Sequence, residues 1–324
     1  MNEQHSVDFI KMEGTANDYV FIDRVGSDRA AAQLASGWPA SAEPGTTMGS
    51  ALIARMADRH TGVGGDGVVF IDPPYGDAGD ALARMRMFNA DGSPSAMCGN
   101  ALRCIALFAR MHLTEAAEFQ LQSDVGLHRV RVLGFDSAAR EGVFEINLGA
   151  PVFTPEEVPF DLAQLAPDAE QLKDGPLLNV QLNDPRAAAG KHAIPPATVL
   201  SMGNPHCVLF VDDADYDGFE ELGPLLERHP AFPARTNVEF VSITADGLYQ
   251  RTYERGTGET LSCGSGACAV HVAAVLTGRS GPVGRIQVRG GELELEWQGS
   301  ADSDAGVIMR GPARVAFEGR ANLC

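Results

Sequence analysis

Two short stretches of the chain each place a thiol where it could do acid/base chemistry. Met97-Cys98-Gly99-Asn100 runs into Ala101-Leu102-Arg103-Cys104-Ile105-Ala106-Leu107-Phe108, and Ser262-Cys263-Gly264-Ser265-Gly266 runs into Ala267-Cys268-Ala269-Val270-His271-Val272-Ala273-Ala274-Val275. In both, a cysteine and a glycine stand at the mouth of an apolar, helix-length segment. A cysteine at a helix N-terminus has its thiolate favoured by the helix dipole and by unpaired N–H groups. The N–H groups of Gly99-Asn100 and Gly264-Ser265 could bind a carboxylate, and the glycine lets the backbone approach closely. One such thiol suggests a nucleophile. Two suggest a proton relay, in which a thiolate removes the proton from an α-carbon and a thiol returns one to the other face.

The two stretches belong to a longer repeat. Arg86-Met87-Phe88-Asn89 aligns with Arg251-Thr252-Tyr253-Glu254, and each cysteine follows its polar strand-end residue, Asn89 or Glu254, by nine positions. Each half also has an earlier strand–turn–strand unit carrying an asparagine, Asn17 or Asn204. Taken alone, Asn17 reads as an Asx-type turn residue that satisfies its own backbone, and His206 as a hydrogen-bonded turn histidine. The cysteines at 104, 207, 268 and 324 read as small core or terminal residues.

These residues need elements to hold them. Alternating apolar patterns predict strands at 9–12, 19–23, 68–71, 82–88, 119–122, 128–132, 143–148, 198–202, 207–211, 237–243, 248–253, 283–297 and 306–318. Helical composition covers 51–59 and 219–228, besides the two segments after the cysteines. Those two segments are apolar nearly all round, which predicts buried helices. The expected architecture is α+β, with two homologous domains related by a pseudo-two-fold axis. Each is a curved, mainly antiparallel sheet or barrel wrapped round a central helix. The expected boundaries are 1–145 with a C-terminal strand at about 311–324 for the first domain and 146–310 for the second. Residues 24–50 read as a surface insertion, and the Pro-, Ala- and Asp-rich stretch at 155–195 as an insertion or linker.

Composition excludes several function classes. The chain has 324 residues and a formal net charge of −18, which argues against nucleic acid or an anionic membrane as partner. It has no signal-peptide pattern and no long apolar run, so a cytoplasmic protein is expected. The cysteine spacings lack the rhythm of zinc sites, and no metal is expected. Lysine occurs only at 11, 173 and 191. Lys11 opens a strand and Lys191 lies in a Gly/Pro-rich loop, so neither resembles a Schiff-base anchor, and no cofactor is expected.

The ordered motifs resemble those of the diaminopimelate epimerases. They are Lys-Met-x-Gly-x-x-Asn-Asp-Tyr (11–19), Phe-Asn-Ala-Asp-Gly-Ser (88–93), Met-Cys-Gly-Asn-Ala-Leu-Arg-Cys (97–104), Met-Gly-Asn-Pro-His-Cys (202–207), Arg-Thr-Asn-Val-Glu-Phe (235–240) and Tyr-Glu-Arg-Gly-Thr-Gly-Glu-Thr-x-x-Cys-Gly-Ser-Gly-Ala-Cys (253–268). The resemblance implies cofactor-independent conversion of LL- to meso-diaminopimelate in lysine and peptidoglycan precursor synthesis, by a homodimer acting on a small amino acid. It implies Cys98 and Cys263 as the acid/base thiols, with His206 and Glu254 tuning them. Asn17, Asn89, Asn204, Asn237, Glu254 and Arg255 become substrate contacts, with backbone donors at Gly99, Asn100, Gly264 and Ser265. Arg255 could grip a carboxylate in a bidentate fork, and Glu254 could accept from the ammonium. Glu13 and Ala16 stand where a histidine and a glycine are frequent in the family. Gly67 stands where some members use a glutamine, so that contact is not carried over.

Other readings make different demands. An epimerase or racemase for proline, hydroxyproline or histidine would share the scaffold and the thiols. A non-catalytic amino acid binder would not need two thiols, and a hydrolase using Cys98 and His206 would need only one.

Overall fold

The computed structural model describes residues 6–25, 38, 42–166, 175–186 and 190–322. The chain divides into two compact units, Met1–Ile146 with Arg310–Cys324, and Asn147–Met309.

The first unit opens with a hairpin, β1 (Ser6–Gly14) and β2 (Asn17–Asp23). Its two-residue turn, Thr15-Ala16, has φ of 52° and 60°. Two positive φ angles are what a type I′ turn requires to match strand twist, although neither residue is glycine. Helix α1 (Thr47–Ala57), capped by Thr46 Oγ1 accepting from Gly49 N at 3.1 Å, leads to β3 (Gly67–Asp72), which runs parallel to β2. β4 (Ala81–Asn89) returns antiparallel, followed by the two-residue strand β5 (Pro94–Ser95). Helix α2 (Gly99–His112) then carries the chain over to β6 (Glu118–Ser123), parallel to β4. β7 (Gly126–Asp136) and β8 (Glu141–Asn147) complete a meander. The last strand, β17 (Ile308–Asn322), pairs with both β8 and β1. The ring β17-β1-β2-β3-β4-β6-β7-β8 is therefore closed, and closure leaves no unpaired sheet edge.

The second unit repeats this pairing order. β10 (Ala197–Ser201) is antiparallel to β11 (Pro205–Phe210), which is parallel to β12 (Asn237–Thr244), with α3 (Gly218–Glu227) between them in sequence. β13 (Gly247–Glu254) returns antiparallel and pairs with the short β14 (Gly258–Thr260). Helix α4 (Gly264–Leu276) leads to β15 (Val283–Val288), parallel to β13, and β16 (Gly291–Glu296) follows antiparallel. The fold is α+β, one barrel-like sheet about a central helix in each unit.

Both central helices are buried as their composition requires. Every residue from Gly99 to Ala109 in α2 and from Gly264 to Ala274 in α4 is buried. Residues such as Leu102, Ile105, Val270 and Val272 are fully enclosed, each contributing roughly 1.5–3 kcal/mol of apolar burial.

The segment at 155–195 is not a linker. Val158, Phe160, Leu177, Val180, Leu182 and Ile194 pack in one core cluster with Phe219, Leu222 and Phe240. It also supplies β9 (Leu177–Val180), paired with β10. Val158 and Phe160 enter the core from a turn and Leu177 and Val180 from a four-residue strand, too short for a helix or strand period to mark them in the sequence. Most of the expected surface insertion at 24–50 lies outside the described residues, as do Lys173 and Cys324. Its described parts are structural: Trp38 meets Phe70 edge-on at 5.0 Å, Ala42 is buried, and α1 begins at Thr47. Among the described residues no helix is long and apolar enough to cross a membrane.

Candidate active site

In the first unit, Cys98 is the N-cap of α2, with an extended φ of −153°, and its Sγ accepts from the Ala101 N–H at 3.4 Å. The N–H groups of the first helical turn have no intrahelical acceptor, which is why a polar atom caps them. Tyr19 Oη lies 3.4 Å from Cys98 Sγ, and Asn17 Oδ1 lies 3.8 Å from it. Asn17 also accepts from Asn100 Nδ2 at 3.0 Å and donates through Nδ2 to Asp66 Oδ2 at 2.6 Å. Its amide therefore spans residues distant in sequence and does not close an Asx turn; it begins β2. The Asx reading fails because closure of the sheet supplies better partners than the local backbone.

A buried arginine and a half-buried aspartate brace this arrangement. Arg103, fully enclosed in α2, donates to Asn100 Oδ1 at 2.7 Å, to Thr15 Oγ1 at 3.2 Å and to the Pro312 carbonyl at 3.0 Å. Asp66 receives Asn17, the Asp18 N–H at 3.1 Å and Arg59 Nη2 at 2.8 Å. Burial and the adjacent Asp18 charge push the Asp66 carboxyl up. For Asp18, burial works against the charge, but the hydrogen bonds from Arg59 and Lys11 outweigh it and hold the carboxyl below its ordinary value. Asn89, at the end of β4, is turned into its own loop, where Nδ2 donates to Ser93 Oγ at 3.0 Å.

In the second unit, Cys263 is the N-cap of α4, with its Sγ accepting from the Gly266 N–H at 3.3 Å and 3.6 Å from Ser265 Oγ. His206, fully buried, has Nδ1 2.8 Å from Glu239 Oε1 and Nε2 2.9 Å from Asn204 Oδ1. Asn237 donates to the Pro205 carbonyl at 3.1 Å and accepts from the Arg255 N–H at 3.0 Å, joining the 204–206 turn to the end of β13. Glu254 accepts from Thr260 Oγ1 at 2.5 Å, and the exposed Arg255 guanidinium donates to the Ala234 carbonyl at 3.2 Å.

The electrostatics at Cys263 differ from what a helix N-terminus alone predicts. Burial pushes its thiol well above the ordinary range, and the Glu254 and Glu239 carboxylates add to that shift. The Ser265 hydroxyl and the Gly266 N–H act the other way and are outweighed. A helix end contributes about 0.3–1 kcal/mol for an exposed charge, whereas removing an unpaired anion from water costs several. Desolvation wins.

The described lysines are committed elsewhere. Lys11 is buried on Asp18, at 2.5 Å, and on the Gly64 carbonyl, while the exposed Lys191 pairs with Asp217.

Strand register aligns the two units residue by residue. Val68 faces Phe88 as Val238 faces Tyr253, and Tyr19 faces Gly67 as His206 faces Asn237. Tyr19 is thus the counterpart of His206, each two residues after the asparagine of its turn. That spacing, Asn-x-Tyr against Asn-x-His, was the signal by which Tyr19 could have been found. Glu239, Asp66 and Arg103 carry no such signal.

Known proteins are similar to this chain over almost its whole length. A family model described as diaminopimelate epimerase matches residues 9–151 and 198–316. The chain belongs to the diaminopimelate epimerase family. A diaminopimelate epimerase from Leptospira biflexa is 39% identical over 319 residues, covering 98% of this chain and 99% of its own length. One from Desulforudis audaxviator is 40% identical over 317 residues, covering 97% and 99%. Among solved structures, a probable proline racemase from Agrobacterium radiobacter K84 superposes with a TM-score of 0.64 at 17% identity, covering 97% of this chain and 92% of the other. That likeness is one of fold. The stretches matched by the epimerase family model contain every residue named above as part of either cluster, whereas the core-filling segment around β9 falls outside them.

Proposed function

We propose that the protein interconverts LL- and meso-diaminopimelate by proton transfer at one α-carbon, as an isomerase of lysine and peptidoglycan precursor synthesis. The observation that carries this is that each unit places one cysteine at the same position, as N-cap of its buried central helix, in a chain belonging to this family.

In this reading Cys98 and Cys263 are the acid/base pair, one taking the α-proton as thiolate while the other gives a proton as thiol. Proton transfer by a placed base contributes about 10²–10⁴-fold. The rest falls to donors that stabilise the developing enolate, the first-turn N–H groups of Gly99, Asn100, Gly264 and Ser265. Asn17, Asn89, Asn204, Asn237 and Arg255 bind the substrate's polar groups, and Glu254 accepts from an ammonium. His206 and Glu254 tune the thiols. The two repeated units act as two domains of one enzyme. A cytoplasmic homodimer belongs to the same proposal and rests on the family resemblance; size-exclusion chromatography with light scattering tests its subunit count.

Incubation with LL-diaminopimelate in deuterated water under reducing conditions should give meso product carrying α-deuterium. Exchange with proline, hydroxyproline or histidine but not with diaminopimelate would overturn the substrate assignment and leave the chemistry. Cys98→Ala and Cys263→Ala should each abolish inversion. Full inversion in either variant would overturn the two-thiol mechanism.

A further inference from the structure

The second unit holds an ionisable group to which the roles above give no task. Glu239 lies on β12 with its side chain wholly out of water. Its Oε1 receives His206 Nδ1, and its Oε2 has no hydrogen-bond partner among the described residues. The carboxylate also presses on the first turn of α4. A methyl group added at Gly266 would stand 2.7 Å from Glu239 Oε1 and 3.1 Å from Cys263 Sγ. Glycine at 266 is therefore what lets the carboxylate and the sulfur share one side of the helix mouth.

The first unit has no carboxylate at the equivalent position. Glu239 faces Thr252 as Val69 faces Met87, so a buried valine occupies the position equivalent to Glu239. The repeat is thus broken beside one thiol by a charge that water does not screen, and unscreened charges act strongly at short range. Glu254 is the other carboxylate acting on Cys263, but it is partly exposed and is read as meeting the substrate's ammonium. Glu239 is instead wholly enclosed, its contact being with the equally enclosed His206.

We propose that Glu239 is a positioning residue of the second thiol: it orients the His206 ring and holds the proton on Cys263 in the substrate-free protein. This rests on reading Cys263 as an acid/base group. Cys263 then enters the reaction as the acid. The α-proton passes to the Cys98 sulfur while the Cys263 S–H proton passes to the α-carbon, which leaves a Cys98 thiol and a Cys263 thiolate. No electrons are gained or lost. The reverse reaction begins from the opposite proton distribution, so Glu239 makes the two directions start from unequal ground states.

The test follows thiolate absorbance at 240 nm against pH in the full-length Cys98→Ala protein, with Cys98→Ala/Cys263→Ala as the blank, so that the difference reports Cys263. Glu239→Gln keeps an acceptor for His206 and removes the charge. It should lower the Cys263 midpoint by at least about one pH unit, a tenfold change in thiolate fraction on the rising limb. Glu239→Asp, which keeps a charge, should titrate near the parent. Glu239→Leu replaces the glutamine variant if that variant does not fold, and must move the midpoint the same way. An unmoved midpoint in the uncharged variant would overturn the role of Glu239, even with Cys263→Ala inactive. Full inversion by Cys263→Ala would instead overturn the acid/base reading beneath it.

Discussion

Asn17 and Asp66 are joined by a 2.6 Å hydrogen bond that determines which end of the Asn17 amide meets the first thiol. Because Nδ2 is committed to the carboxylate, Oδ1 is the atom presented to Asn100 and to Cys98. That fixes which end of the amide, read above as a substrate contact, stands beside the thiol. Asp66→Ala removes this commitment and lets the amide turn over. We expect the protein to remain folded, with kcat/KM for the α-proton exchange lowered about tenfold, or about 1.4 kcal/mol. Wild-type kinetics in this variant would show that the amide is oriented by something else.

Arg103 should matter chiefly for stability. Its enclosed guanidinium serves Asn100 Oδ1, Thr15 Oγ1 and the Pro312 carbonyl. Arg103→Met takes a charged donor away from each of these buried acceptors, at roughly 3 kcal/mol or more. Thermal unfolding should fall by at least about 6 °C. A drop under about 2 °C would mean that the neighbours repack around the loss.

The β1–β2 turn carries a small strain that can be relieved. Ala16 sits at φ 60° and its N–H is bonded to Glu13 Oε2 at 2.7 Å. A non-glycine residue there costs about 1–2 kcal/mol, partly offset because glycine loses more freedom on folding. Ala16→Gly keeps the hydrogen bond and should add about 0.5–1 kcal/mol, read as a Tm higher by on the order of 2 °C. A lowered Tm would show that the turn holds without strain.

Acid stability should depend on Asp18. Its carboxyl is held below the ordinary value, with Arg59 and Lys11 overcoming its burial. A depressed folded value means a contribution present above the unfolded pKa, about 4, and lost as pH falls through the folded value. Asp18→Asn lacks that contribution at every pH. The Tm gap separating wild type from the variant should be widest from about pH 5 upward and should close below about pH 4. A gap independent of pH from neutrality down to about pH 3 would contradict the linkage.

Much of the scaffold is legible in the one-dimensional chain. Alternation at 143–148 and the all-round apolar character of 101–108 and 267–275 identify strand and buried helix because local geometry has a period. The equal nine-residue spacing from Asn89 to Cys98 and from Glu254 to Cys263 exposes the duplication and both thiols. Residues 155–195 were misleading for the same reason: core-filling side chains on aperiodic chain leave no mark.

What the sequence alone determined was therefore the repeated frame, the two helix-capping cysteines and the family. Only the tertiary structure decided how the copies differ. His206 meets Glu239 across 33 residues of chain, and Asn17 meets Asp66 across 49. Those contacts exist because parallel strands lie side by side in each sheet, a proximity that spacing along the chain does not encode. Burial of Cys263 beside the Glu254 and Glu239 carboxylates pushes its thiol up, against what its place at a helix N-terminus alone would favour.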